Sequence, residues 1–463
     1  MKVLFVSASH SNFFAIDPVL RELFRRGHQV ALIVGMQKKR NLPDDALQQA
    51  KKELPQLVVQ PLSTRRFLRG FTRTLREVLN YAHVLNSEET RLWDAAKWDR
   101  FFPRSLWRIL SSPWGKAKLK DPSFQKILRS VEQSIPVDSA IREEIRKHAP
   151  DLVVLLPLLN PQPLEAEYLR AARSLGIPTM YFMVSWDNIS TKGTFHGQPD
   201  YSIVWNEPLA EELVRLHGFP QEYIFVIGAP RFAHLIRGVG EHVQPREVFC
   251  RQTGLDVDKP YILYVGSTFL VSSGYKKEID ESVLIVEAAR AMMEDSRTHD
   301  VNILVRPHPL NSGFVTQLLA LGLKNIFVFP ETGEIPDTIE KQERYYNSIR
   351  HAMAVVGVNT TAFLEAAALD RPCITVFSKK FSETQELPHF HHLTDADLLE
   401  TAYGTAGLVQ IAGNIRQGLD FRQNERHAFV KNFLAPSETP APQACVDVLE
   451  EVASKTSTMN RGA

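Results

Sequence analysis

Short, wholly apolar runs recur along this chain, and the stretches between them are long enough for a helix. Lys2 to Ser7 is the first of these runs, followed by the polar loop Ala8-Ser-His-Ser-Asn12. Leu20, Leu23 and Phe24 then lie at helical spacing before Gly27, and Val30 to Val34 is the next apolar run. A strand that is apolar on consecutive residues is buried on both faces, as in a parallel strand covered by helices. The unit recurs as Leu152 to Leu156, a helix through Tyr168 to Leu175, and Gly176 to Val184, with further strands at Tyr201 to Trp205 and Tyr223 to Ile227. After Gly228-Ala-Pro-Arg-Phe232 a second series starts at Tyr261 to Val265. It continues at Val301 to Val305, Ile326 to Phe329, Ala354 to Val358 and Cys373 to Phe377. This alternation predicts an α/β class protein with two Rossmann-like parallel-sheet domains facing a cleft. The expected boundaries are 1–235 for the N-terminal domain and 236–435 for the C-terminal one. Residues 436–463 form a C-terminal helix and tail, amphipathic from Ala444 to Val452 and frayed from Ser454.

Composition narrows the class. At 463 residues the chain is too long for one ordinary core, and 44% apolar with 23% charged residues is the balance of a globular enzyme. A formal net charge of +1 gives no reason to expect nucleic acid. Cys250, Cys373 and Cys445 fit no zinc spacing and point to a reducing compartment. No apolar run approaches a membrane span, and the opening Met1-Lys-Val-Leu-Phe-Val-Ser is too short for a signal-peptide core, so a cytoplasmic location is expected.

Two strand ends carry the chemistry. Ile303-Leu-Val-Arg-Pro-His-Pro309 ends in Arg306 and His308, and Val355-Val-Gly-Val-Asn-Thr-Thr361 ends in Asn359, Thr360 and Thr361 before a helix bearing Glu365. Ligands of open parallel sheets sit outside the carboxyl ends of strands, and a helix start offers N–H groups to an anion. Arg306 is suited to a phosphate bidentately, and His308, fixed between prolines, to a departing phosphate. Asn359, Thr360 and Thr361 also serve as helix caps. Glu365 is either a ribose contact or an ordinary first-turn carboxylate. Glu331 and Glu334 fall near the same edge. In the N-terminal half, Ser185-Trp-Asp-Asn-Ile-Ser-Thr-Lys-Gly193 follows a strand directly. There Asp187 is a candidate general base, Asn188 and Lys192 are acceptor-side contacts, and a simple Asx turn is the competing reading. His10 is a rival base. No glycine-rich fingerprint follows the first strand, which argues against a dehydrogenase. His389, His391 and His392 read as a surface loop, and no metal is expected.

Residues 61–130 break the alternation. They hold 15 Lys/Arg against 6 Asp/Glu, a difference of +9, and include Trp93, Trp98, Trp107 and Trp114. One reading is a basic helical insertion packing its aromatics inward. The other is a surface for an anionic membrane or a lipid-linked acceptor.

Taken with Arg26-Gly-His-Gln-Val30 and Val226-Ile-Gly-Ala-Pro-Arg-Phe232, the motifs Arg306-Pro-His-Pro309 and Gly357-Val-Asn-Thr-Thr-Ala-Phe-Leu-Glu365 resemble the GT-B glycosyltransferase superfamily. The nearest likeness is to bacterial capsule transferases and the glycerophosphotransferases of teichoic acid synthesis. The resemblance implies transfer of a sugar or polyol phosphate from a nucleotide-activated donor to a glycan or lipid-linked acceptor, with no separate cofactor. It implies His308 and the pair Thr360 and Thr361 at the donor phosphate. Asn-Thr-Thr stands where serines are common in the family, and its acidic-acidic-glycine base motif is missing. UDP-N-acetylglucosamine 2-epimerases share the superfamily, so an epimerase or hydrolase is the alternative, and a non-catalytic binding module is a third.

Overall fold

The computed structural model describes residues 1–35, 45–65, 67–87, 98–236, 243–267, 281–336, 338–377 and 381–461. Trp93 lies outside them. Met1–Ala233 and Phe433–Ala463 form one compact unit, and His234–Asn432 forms the other.

The first unit holds a seven-stranded sheet built from β1 (Lys2–Ser7), β2 (Gln29–Val34), β3 (Val58–Pro61), β4 (Leu152–Leu155), β5 (Thr179–Phe182), β6 (Tyr201–Val204) and β7 (Ile224–Val226). Their order is β3-β2-β1-β4-β5-β6-β7, and every pairing is parallel. Val3, Leu4, Phe5 and Val6 are all 0% exposed, because helices cover both faces of the central strand. The second unit holds six strands: β8 (Tyr261–Val265), β9 (Asn302–Arg306), β10 (Ile326–Val328), β11 (Ala354–Gly357), β12 (Cys373–Phe377) and β13 (Leu399–Tyr403). Their order is β10-β9-β8-β11-β12-β13, again parallel throughout. The α/β class with two parallel sheets is therefore as the sequence predicts. The sequence reading omits β3 and β13. Both are edge strands with mixed burial along Val58–Pro61 and Leu399–Tyr403, so neither shows the continuous apolar run of an interior strand.

Each order reverses once, between β1 and β4 in the first sheet and between β8 and β11 in the second. At such a switch point neighbouring crossovers diverge to opposite faces and open a crevice at the carboxyl edge.

The C-terminal helix, Ala441–Arg461, belongs to the first unit. Cys445, Val446, Leu449 and Val452 enter that unit's core, and Arg26 reaches Asp447 at 2.6 Å and Glu450 at 3.0 Å. The helix runs on to Arg461, with Lys455 paired to Glu451 at 2.5 Å one turn back.

The insertion is helical, as Arg69–Asn86, Arg104–Leu110, Pro113–Lys120 and Pro122–Ser134. Tyr81, Trp98, Phe102, Leu110 and Leu119 form its core, with Trp107 packed against them. Two of its arginines are buried in an ion network: Arg65 meets Glu167 at 2.9 Å, and Arg76 meets Glu132 at 2.9 Å and Glu167 at 2.8 Å. His196, on the segment after β5, meets Glu132 at 3.0 Å and so ties that segment to the insertion.

Candidate functional site

In the second unit β9, β8 and β11 are neighbours in the sheet, so the segments that follow them leave from one edge at the switch point. The β8 loop begins Gly266-Ser267; the Gly266 N–H donates to the Arg306 carbonyl at 2.9 Å, and Asn311 Nδ2 donates to the Ser267 carbonyl at 3.0 Å. The Ser267 N–H donates to the buried Glu281 carboxylate at 3.0 Å.

His308 projects from the β9 loop. Its Nδ1 accepts the Leu310 N–H at 3.1 Å, and burial lowers its pKa to about 4. The ring is therefore neutral at physiological pH. With Nδ1 used as an acceptor, the proton sits on Nε2. Nε2 makes no hydrogen bond among the described residues, so the histidine presents one N–H donor, not a cation. Behind it, Gly333 adopts φ +70°, and a Cβ there would lie 2.8 Å from both the Pro307 carbonyl oxygen and the Pro309 nitrogen. The turn after β10 thus backs directly onto Pro-His-Pro. Gly333→Ala is expected to displace this segment and lower thermal stability, since the φ and the contact both oppose a side chain. A thermal melt of the variant measures this, and an unchanged melting temperature would show that the turn accommodates the methyl group.

Arg306 is not presented at the edge as the sequence reading expects. Its guanidinium is 4% exposed, stacked 4.7 Å from the centre of the Tyr345 ring, and donates from Nη2 to the Glu334 carbonyl at 3.1 Å. Its Nη1 is buried with no hydrogen-bond partner among the described residues. Its Nη2 also lies 3.7 Å from the Glu334 carboxylate, which partly offsets the cost of burying the charge. Glu334 is held by Arg344 at 2.7 Å, while Glu331 is exposed.

After β11, Asn359 Nδ2 donates to the Thr384 carbonyl at 2.7 Å and lies 3.4 Å from His389 Nε2. Thr360 Oγ1 accepts the Ala362 N–H at 3.2 Å, and the Leu364 N–H goes to the Thr361 carbonyl at 2.9 Å. The helix they start, Ala362–Ala368, is seven residues long. Short and internally capped, it offers an anion less than the sequence reading supposes. Glu365 is 3% exposed, one turn in. His389, His391 and His392 lie on a helix, Pro388–Thr394, not a surface loop, because Pro388 starts it and Phe390 and Leu393 anchor it in the core. Sequence reasoning missed Gln385, whose Nε2 donates to the Val358 carbonyl at 3.2 Å and to Thr375 Oγ1 at 2.7 Å, fixing the ends of β11 and β12. A threonine inside the apolar run Cys373–Phe377 is the signal that was available.

In the first unit the switch point holds His10, just after β1, and Glu165, after β4. Glu165 is fully buried and accepts the Ala8 N–H, two residues from His10. Burial raises its pKa to about 8, so it keeps its proton at neutral pH. Both ring nitrogens of His10 are buried without a hydrogen-bond partner among the described residues. Asp187, by contrast, is bound by Lys192 at 2.7 Å. Asn188 Oδ1 accepts the Val184 and Ser185 N–H groups at 3.2 and 2.9 Å and so builds the turn after β5. The structure brings Asp187, Asn188 and Lys192 together as a closed turn.

No family model matches the chain, and no curated protein does. Solved structures do. The UDP-GlcNAc 2-epimerase of Methanocaldococcus jannaschii matches with a TM-score of 0.56 at 13% identity, over 97% of this chain and 100% of that one. That of Neisseria meningitidis bound to UDP-GlcNAc matches with a TM-score of 0.55 at 11% identity, over 97% and 100%. A glycosyltransferase from Rickettsia africae matches with a TM-score of 0.54 at 13% identity, over 97% and 98%. These likenesses establish the fold, GT-B-like in both units.

Proposed function

We propose that this chain is an enzyme acting on a nucleotide-activated sugar, with the diphosphate held by the second unit. The observation that carries the reading is the neutral His308 imidazole, locked by Leu310 and presenting a free Nε2–H beside the β8–β11 switch point. Such a donor stabilises a phosphate oxygen without a full charge to desolvate. The Thr360 and Thr361 hydroxyls, with Asn359, border the same edge, and Arg306, buried against Tyr345, contributes positive charge from behind the strand end. Glu365 is the candidate for the ribose. Within the first unit, protonated Glu165 and unpartnered His10 suit proton transfer better than Asp187, which is already paired.

Of the chemistries this fold serves, epimerisation or hydrolysis of a UDP-GlcNAc-type substrate has the stronger support, from the structural likenesses. The second reading is transfer to a glycan or lipid-linked acceptor in surface-polysaccharide synthesis. It is favoured by Arg306-Pro-His-Pro309 with Asn359-Thr-Thr361 and by the glycosyltransferase likeness. Labelled UDP-GlcNAc separates the two. Turnover by the protein alone supports the first; turnover only with added envelope extract supports transfer; turnover in neither, with CDP- and GDP-linked donors equally inert, overturns the proposal.

The histidine's protonation state has its own consequence. Because its pKa is lowered to about 4, His308 stays neutral from pH 7 to 6, a range also below the raised pKa of about 8 of Glu165, and a nucleotide diphosphate sugar has no phosphate proton titrating there. Affinity for UDP-GlcNAc is therefore expected to stay flat across that range. A rise of several-fold as pH falls through about 6.5 would show a histidine charging at its ordinary pKa and contradict the assignment.

A further inference from the structure

We propose that the outward face of the helical insertion is a docking surface for an anionic lipid bilayer. The helix 113–120 packs on 104–110, 122–134 and the long helix 69–86, so the short helices form a layer over the long one. On these short helices Ile109, Trp114, Ile127 and Val131 are exposed, at 53%, 65%, 58% and 39%. Ile127 and Val131 are one helical turn apart and share a face. Trp98 of the same insertion is 2% exposed in its core, whereas Trp114 stands out into water.

Cations surround these apolar groups. Arg104, Arg108, Lys118, Lys120 and Lys126 are exposed, and none forms an ion pair among the described residues. Surface arginines elsewhere behave differently: Arg21, Arg146 and Arg416 meet carboxylates at 2.8, 2.5 and 3.0 Å. From Asp99 to Ser134 the carboxylates are Asp99, Asp121 and Glu132. Glu132 is buried against Arg76 and His196, and Asp121 caps a helix by accepting the Ser123 N–H at 2.9 Å. The face is thus positive, with apolar side chains standing among the charges. Anionic headgroups neutralise the cations while the acyl boundary takes up Trp114 and the aliphatics. A nucleic acid uses the charges but leaves Ile127 and Val131 in water. Among the described residues no helix is long and apolar enough to cross a membrane, so the contact is peripheral.

This inference does not depend on the chemistry proposed above, and its test reads only binding. The full chain is sedimented at low salt with vesicles of phosphatidylcholine mixed with phosphatidylglycerol, and with phosphatidylcholine alone. We expect binding to the mixed vesicles only, reversed by added salt, with a blue shift of tryptophan fluorescence that Trp114→Phe removes. The triple variant Arg104→Glu, Arg108→Glu, Lys118→Glu is expected to bind about tenfold or more weakly, while its circular dichroism is unchanged. No binding, equal binding to neutral vesicles, or binding untouched by the charge reversal overturns the proposal. So does displacement by a homopolymeric RNA with the fluorescence shift absent, which marks a general polyanion face.

Discussion

His308→Ala is expected to lower kcat/KM for the nucleotide-sugar by about a hundred- to a thousandfold, the usual effect of deleting one oriented donor at a developing oxyanion. Among the described residues the imidazole makes a single hydrogen bond, from the Leu310 N–H, so thermal stability is expected to change little. That combination separates a chemical role from a structural one. His308→Gln, which keeps an N–H donor on a different stem, is expected to recover part of the loss. Steady-state kinetics on both variants, with thermal melts, check this; an alanine variant of near wild-type activity would remove His308 from the chemistry.

Arg76→Ala is expected to act on stability with comparable force. The guanidinium is buried between Glu132 and Glu167, at 2.9 and 2.8 Å, and its removal takes a cation from two buried carboxylates, leaving Glu167 to Arg65 and Glu132 to His196. Breaking a buried pair from one side costs about 3–5 kcal/mol, even though the intact pair adds little over an apolar substitute. Urea unfolding followed by tryptophan emission reads this directly, because Trp98 and Trp107 lie in the same insertion. Loss below about 1 kcal/mol would mean that the network is solvated. Because His196 also leans on Glu132, the variant is expected to loosen the segment after β5 as well.

The interior strands were legible in the sequence because burial on both faces writes a continuous apolar run, as at Tyr261–Val265. The edge strands β3 and β13 were not, since half of their side chains meet water. The position of His308 was legible for a similar reason: a histidine between two prolines at the end of an apolar run has few structural explanations. Its tautomer was not, because that depends on where the Leu310 N–H points. Arg306 shows the converse. It ends the same strand, yet its burial is decided by Tyr345 and by Glu334, 28 residues further on, and no local pattern records either. Glu165 was invisible because its meaning comes from Ala8, 157 residues earlier, across the switch point between β1 and β4. Asp187 looked available only while Lys192, five residues away, was read as an acceptor contact and not as its ion-pair partner.

If the second unit holds a nucleotide diphosphate against His308, titration calorimetry of UDP, CDP and GDP into the full chain and into His308→Ala, with chelator present, is expected to show saturable binding of at least one of them to the wild type, weakened about tenfold or more in the variant. Absence of binding to all of them, or binding equally tight in His308→Ala, would contradict it.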